Sequence, residues 1–262
     1  METTNEISKF IDKWDYSTYF REYLLLIASK KDLGLESKNN FPEKIQLSYG
    51  WHKMLNKIRD KTDDGNEYWG FVGFKEDRRN LWFPNLPAKG YDTHVPGELI
   101  NLETNKARDK FGIVDLVGDA HSHPTDFFTK VKQYLPSQNP YKLKAAFSAG
   151  DLFIVVNTEH FRPFIAVVEG ECNLFAFRTR ETKGLGVDSH IFNQDSFEKY
   201  WYEKNGYRYL GGVKEFGANR VTPITDFANP YGVNIDIAER HSLVIYQGMK
   251  GKDIKKIYPK KL

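Results

Sequence analysis

The chain has 262 residues, enough for one large domain or for a core domain with additions. Its 19 Phe, 15 Tyr and 5 Trp exclude a disordered chain, and a net charge of +3 with both signs mixed throughout gives no case for a nucleic-acid surface. Cys172 is the only cysteine, which excludes an internal disulfide and a cysteine-based zinc site, fits a reducing compartment and makes the cytoplasm the expected location.

The N-terminus is charged rather than signal-like, and its strongest apolar run, Tyr23 to Ala28, is far too short to span a bilayer, so no membrane is expected as a partner. From Ile7 to about Lys31, Phe10, Ile11, Trp14, Tyr23, Leu24 and Ile27 recur at roughly helical spacing, and Gly34 is a stop. This reads as a helix packing on the protein's own core rather than one that binds a partner. Glu36 to Asn40 is polar loop. Pro42 to about Lys61 reads as a second helix, with Pro42 in its first turn and Ile45, Tyr49, His52, Leu55 and Ile58 near one face. His52 reads as a helix-surface or core residue, not a ligand. After a turn at Asp63–Asn66 comes a strand, Glu67 to Phe74, then a second turn and the start of another strand at Leu81-Trp82-Phe83, broken by Pro84 and Pro87. The stretch that follows carries His94, Glu98 and Glu103, each of which reads by default as a solvated loop residue.

The apolar run from Ile113 to Val117 leads as a buried strand into Gly118-Asp119-Ala120-His121-Ser122-His123-Pro124. Side chains alternate along a strand, so His121 and His123 share one face and Ser122 takes the other. Two imidazoles at that spacing make half of a zinc or iron site. Pro124 ends the strand. The segment from Pro124 to Phe147 carries Phe127, Phe128, Val131, Tyr134, Leu135 and Tyr141, begins at helical spacing and stops at Pro136 and Pro140. Its position beside a ligand makes it either a lid or substrate wall, or a decoration on the core. Then Ser148 and Asp151 stand three apart, on one face of a first helical turn, with Ser148 suited to be its N-cap. With the histidines, Asp151 supplies a third ligand and Ser148 a hydroxyl beside it. His, His and Asp with one open position is the arrangement of catalytic zinc.

Leu152 to Val156 is rich in β-branched residues and argues strand on propensity. Phe164–Val168 and Leu174–Phe177, with Gly170 between them, read as a hairpin that closes the sheet. Asp188 to Asp195 is loop-like, Ser196 to Lys204 reads as helix, and Tyr207 to Leu210 is followed by glycine turns. Ile235 to His241 reads as helix, Leu243 to Tyr246 as strand, and the basic tail from Lys250 to Lys261 as a solvated face.

His121-Ser122-His123-Pro124 followed by Ser148-x-x-Asp151 resembles the signature of the JAMM (MPN-plus, JAB domain) zinc metalloproteases. Glu67-Tyr68-Trp69-Gly70-Phe71-Val72-Gly73 resembles the Glu-x-x-Gly-apolar-x-Gly strand of the same family. The likeness runs from about residue 41 to about 182, with the 124–147 segment standing as an insertion where the family has a much shorter spacer. Ser137 is the only other serine between the motifs and has no Asp three residues on, which keeps the assignment on Ser148.

The resemblance implies an α/β fold: a mixed, curved, cytidine-deaminase-like sheet flanked by helices. A helical extension over 1–40 and an α+β extension over 183–262 would stand outside it. It implies a helix from Ser148 to about Glu159, against local propensity. It implies one Zn2+ per chain on His121, His123 and Asp151, with Glu67 as general base and Ser148 as oxyanion stabiliser. His94, Glu98 and Glu103 rank below Glu67, because none heads an apolar glycine-bearing strand. The implied reaction is hydrolysis of a peptide or isopeptide bond, with a protein or peptide substrate such as the C-terminus of a ubiquitin-like modifier. A catalytically inactive scaffold or interaction module of the same fold is the alternative; inactive members typically lose the His-x-His or the Asp, and both are present here. A zinc nucleoside deaminase would need a Pro-Cys-x-x-Cys pair, which one cysteine cannot supply.

Overall fold

The computed structural model describes residues 24, 37–62, 65–76, 81–83, 87–90, 97–123, 145–156, 163–182, 207–212, 219–223 and 230–259. In chain order the elements are β1 (Lys44–Ile45), α1 (Tyr49–Lys61), β2 (Tyr68–Lys75), β3 (Leu81–Trp82), β4 (Ala88–Lys89) and α2 (Gly97–Phe111). They continue with β5 (Ile113–Ser122), α3 (Ala149–Val156), β6 (Phe164–Glu169), β7 (Cys172–Phe177), β8 (Tyr207–Gly212), β9 (Asn219–Pro223), α4 (Pro230–His241), β10 (Val244–Met249) and β11 (Ile254–Tyr258). The expected helices over 7–31 and 196–204, the loop over 188–195 and the insertion from 124 to 144 lie outside the described residues. Leu24, helical and fully buried, is the one described residue of the first of these.

Nine strands form one mixed, open sheet in the order β1-β11-β10-β7-β6-β5-β2-β3, with β4 also alongside β2. Among the described residues β5 and β6 are its parallel pair, joined through α3, and the other pairings are antiparallel. β8 and β9 form a separate ribbon. One face is covered by α1, whose Trp51, Met54, Leu55 and Ile58 recur at helical spacing and pack on Phe164, Phe175 and Phe177. The other face is covered in two parts. Ala107 and Ile100 of α2 lie over Trp69, Phe71 and Ile113. Leu152, Val155 and Val156 of α3, with Ile235, Ile237 and Ala238 of α4, lie over Ile165, Val167, Leu174 and Ala176.

Three expectations are corrected. The helix read from Pro42 begins only at Tyr49; Lys44 and Ile45 pair with Lys255 and Ile254 as an edge strand. The period is that of a strand, since Ile45 and Leu47 are buried while Gln46 and Ser48 are exposed. The stretch carrying Glu98 and Glu103 is helix α2, not loop. Its inward stripe is thin, the partly buried Ile100 with buried Thr104 and Ala107, and a threonine in the middle hides the apolar period. Gly112, at φ 64, ends that helix by donating its N–H to the Arg108 carbonyl. The β6–β7 hairpin does not close the sheet: β10 pairs with β7 along its whole length, and β11 and β1 follow. Every residue of β6 and β7 is buried, as expected for strands covered on both faces. The strands of 244–258 thus belong to the same sheet as the core. Leu152–Val156 is helical, as the Ser148 cap requires and propensity alone does not.

Candidate metal centre

β5 brings both histidines to its carboxyl end. Gly118 is needed there, because a Cβ would lie 2.2 Å from the Phe164 ring across the parallel pair. His121 stands opposite Trp69 of β2 and Val167 of β6. His123 lies just past the strand, held by its N–H donating to the Val168 carbonyl at 3.0 Å. Ser122 points to the other face, where its Oγ accepts the Tyr68 N–H at 2.9 Å. That bond extends the β2–β5 register by one residue beyond Trp69–His121. One further step places Glu67 opposite His123, on the histidine face. Glu67 is buried, and its carbonyl accepts the Gly90 N–H at 2.8 Å.

Asp151 comes from the first turn of α3. The Ser148 N–H donates to Asp151 Oδ2 at 2.7 Å and the Asp151 N–H donates to Ser148 Oγ at 3.3 Å, a reciprocal capping box. The cap fixes the carboxylate over the end of β5, outside the carboxyl ends of the parallel pair, where open α/β sheets place their ligand sites.

The three side chains converge. His121 Nε2 is 3.1 Å from His123 Nε2 and 2.9 Å from Asp151 Oδ1; His123 Nε2 is 3.2 Å from Asp151 Oδ2. All three residues are buried and form a group that could hold a metal ion. Zinc with ligands at about 2.0–2.1 Å in a tetrahedron requires ligand–ligand edges of about 3.3 Å, close to the spacing of the two imidazole nitrogens, and each imidazole faces its own oxygen of the Asp151 carboxylate. The charges point the same way. Burial would lower the His123 pKa, but the hydrogen bond and charge of Asp151, with the charges of Glu67 and Glu169, raise it to about 9. Burial would raise the Asp151 pKa, but His121 and then His123 hold it well below the usual carboxylate range. The site therefore holds a negative field that favours a cation among the imidazoles.

His121, His123 and Asp151 are brought together despite the long segment between the two motifs. Glu67 is on the same face and near enough for its charge to act on His123. Ser148 is partly buried at the Asp151 cap. Of the rivals, Glu98 is exposed on α2 and Glu103 pairs with Lys106 at 2.5 Å, while His94 lies outside the described residues. His52 is half-buried on α1, the helix that covers the opposite face.

Three further residues support the cluster. Ser122 ties the start of β2 to the ligand strand. Glu169, 1 % exposed, accepts the Ala146 N–H at 3.2 Å, and its signal in the sequence is an acid ending the apolar run Phe164–Val168. Asn234, fully buried on α4, bonds both backbone groups of Phe147, and nothing in its local sequence announces it. No helix among the described residues is long and apolar enough to cross a membrane. Comparison of the chain with protein-family models, with curated proteins and with solved structures returned no match.

Proposed function

We propose that this chain is a zinc-dependent hydrolase of peptide or isopeptide bonds, of the JAMM type. The observation that carries the reading is the buried convergence of His121, His123 and Asp151 beside Glu67, in the arrangement that the motif resemblance implies. His121, His123 and Asp151 would hold the metal. Zinc bound there supplies Lewis acidity that makes water a nucleophile near neutral pH.

The remaining work falls to the chain's own side chains. Glu67 takes the proton of the attacking water and passes it to the leaving amine, a role that suits a buried carboxylate at the rim of the cluster. Ser148 Oγ accepts the Asp151 N–H, which leaves its own proton free to be donated to the developing oxyanion. Trp69, beside His121, and the aromatic residues packed on it exclude water from the β2 side. An amide bond in an extended protein segment, including the C-terminal linkage of a ubiquitin-like modifier, is the substrate class.

The test uses the full chain loaded with one equivalent of zinc and a panel of ubiquitin-like fusions and isopeptide-linked pairs, read by intact mass. Cleavage by the native chain and a loss of about a hundredfold or more in Glu67→Gln, with zinc retained, is the expected result. Zinc uptake with no cleavage across the panel favours a binding scaffold instead. Cleavage unaffected by Glu67→Gln removes Glu67 from the mechanism.

A further inference from the structure

The turn that presents Asp151 is held in part from outside the stretch that carries the motif resemblance. Three successive backbone N–H groups lead into α3, and each is taken by a side chain from a different element. The Ala146 N–H donates to Glu169 Oε2 of β6, the Phe147 N–H to Asn234 Oδ1 of α4 at 2.7 Å, and the Ser148 N–H to Asp151 Oδ2 of α3 itself. Asn234 also donates from Nδ2 to the Phe147 carbonyl at 3.1 Å, so one amide satisfies both polar groups of that residue. Asn234 and Phe147 are both fully buried. A buried amide can make such a two-point bond in one orientation only, and the pair lies one residue before the Ser148 cap.

We infer that Asn234 is a positioning residue of the metal centre: the C-terminal helix fixes the Phe147 backbone and, through it, the place of the Asp151 carboxylate against His121 and His123. This rests on the metal-site reading above. It extends the site to α4, eighty-seven residues downstream of Phe147. An Asp at 234 would keep the shape and still accept the Phe147 N–H, but would face the Phe147 carbonyl with a second acceptor. An Ala would leave both groups unpaired in the core.

The experiment measures zinc affinity of the full chain by competition with a chromophoric chelator, at a temperature where circular dichroism shows each variant folded. Asn234→Asp and Asn234→Ala should weaken zinc binding by about ten- to hundredfold, the range for residues that orient metal ligands. Ile254→Ala, which opens a cavity on the far face of the sheet, controls for general destabilisation and should stay within about threefold of native. Folded Asn234→Asp with native affinity overturns the inference, as does an equal loss in Ile254→Ala. A native chain that takes up no zinc overturns both this inference and the metal-site reading, whereas native uptake with unaffected Asn234 variants overturns this inference alone.

Discussion

Gly118→Ala is the sharpest probe of how the sheet sets the site. The added methyl would stand 2.2 Å from two atoms of the Phe164 ring, against about 3.5 Å for ordinary carbon contact, so about 1.3 Å must be found. The ring cannot supply it. It is fully buried, with Trp51 at 5.4 Å, Phe177 at 5.6 Å and Phe175 at 6.2 Å between ring centres. Strand β5 must give instead, and it is paired on both sides at this position, with Val72 and Phe164. Overpacking of this kind costs about 1–3 kcal/mol, which for a chain of this size lowers the melting temperature by about 2–12 °C. A displacement of β5 also moves two ligands relative to the third, because His121 and His123 ride on β5 and Asp151 on α3. Zinc affinity should therefore fall with stability. The assay is thermal melting of chelator-stripped protein together with zinc titration. Adding Phe164→Leu should recover part of both losses, with a coupling of about 0.5–3 kcal/mol. A Gly118→Ala protein that melts within about 1 °C of native and keeps full zinc affinity refutes the reasoning, because the methyl would then have cost less than the overpacking range allows.

Elemental analysis of the native chain should give about one zinc per chain, and His121→Ala or Asp151→Ala should abolish it. Full zinc in the double variant would remove the assignment. Ser148→Ala removes the acceptor for the Asp151 N–H and should lower stability by about 1 kcal/mol, with Ser148→Thr restoring most of it. A cap that contributes nothing would leave the melting curve unchanged. Zinc at about a thousandfold excess over its Kd should stabilise chelator-stripped protein by about 4 kcal/mol, or about 8–16 °C in melting temperature. No shift in a protein that demonstrably binds zinc would mean that the unfolded chain binds it equally well.

The metal cluster was legible because its parts are local. His121 lies at the end of a strand that His123 just follows, and Ser148 and Asp151 share one helical turn, so alternation and capping predict the geometry of each half; that the halves meet was implied by the motif resemblance. The helix at α3 was expected from the motif resemblance and not from its five apolar residues, which favour a strand; the Ser148–Asp151 box that caps it outweighs them. What was not legible depends on neighbours distant in the chain. β1 exists because β11 offers it an edge, although β11 lies some two hundred residues on. The β6–β7 hairpin sits mid-sheet because β10 returns to it, although its uninterrupted apolar runs already hinted at cover on both faces. α2 was hidden by composition rather than distance, its inward stripe being carried by Ile100, Thr104 and Ala107 in an otherwise charged helix. Asn234 represents the limit, since a polar residue in a helix reads as surface until the backbone it satisfies is known.

The position of the cluster follows from the parallel pairing of β5 and β6, the one such pairing among the described residues. β2 runs antiparallel to β5, so β2 begins where β5 ends; β6 runs parallel to β5, so β6 ends there too. The first residue before β2 is Glu67 and the last residue of β6 is Glu169. Both carboxylates therefore arrive level with His123, one on each side, without any loop being asked to deliver them. With Asp151 descending from α3, three buried carboxylates surround two buried imidazoles, and apolar layers flank them on both sides. Such a cluster is a poor way to stabilise a fold, because apolar residues of the same volume would serve as well or better. Burial would lower the His123 pKa, but the hydrogen bond and charge of Asp151, with the charges of Glu67 and Glu169, act to raise it. A divalent ion would find three matched ligands there, which supports reading the arrangement as a candidate metal centre.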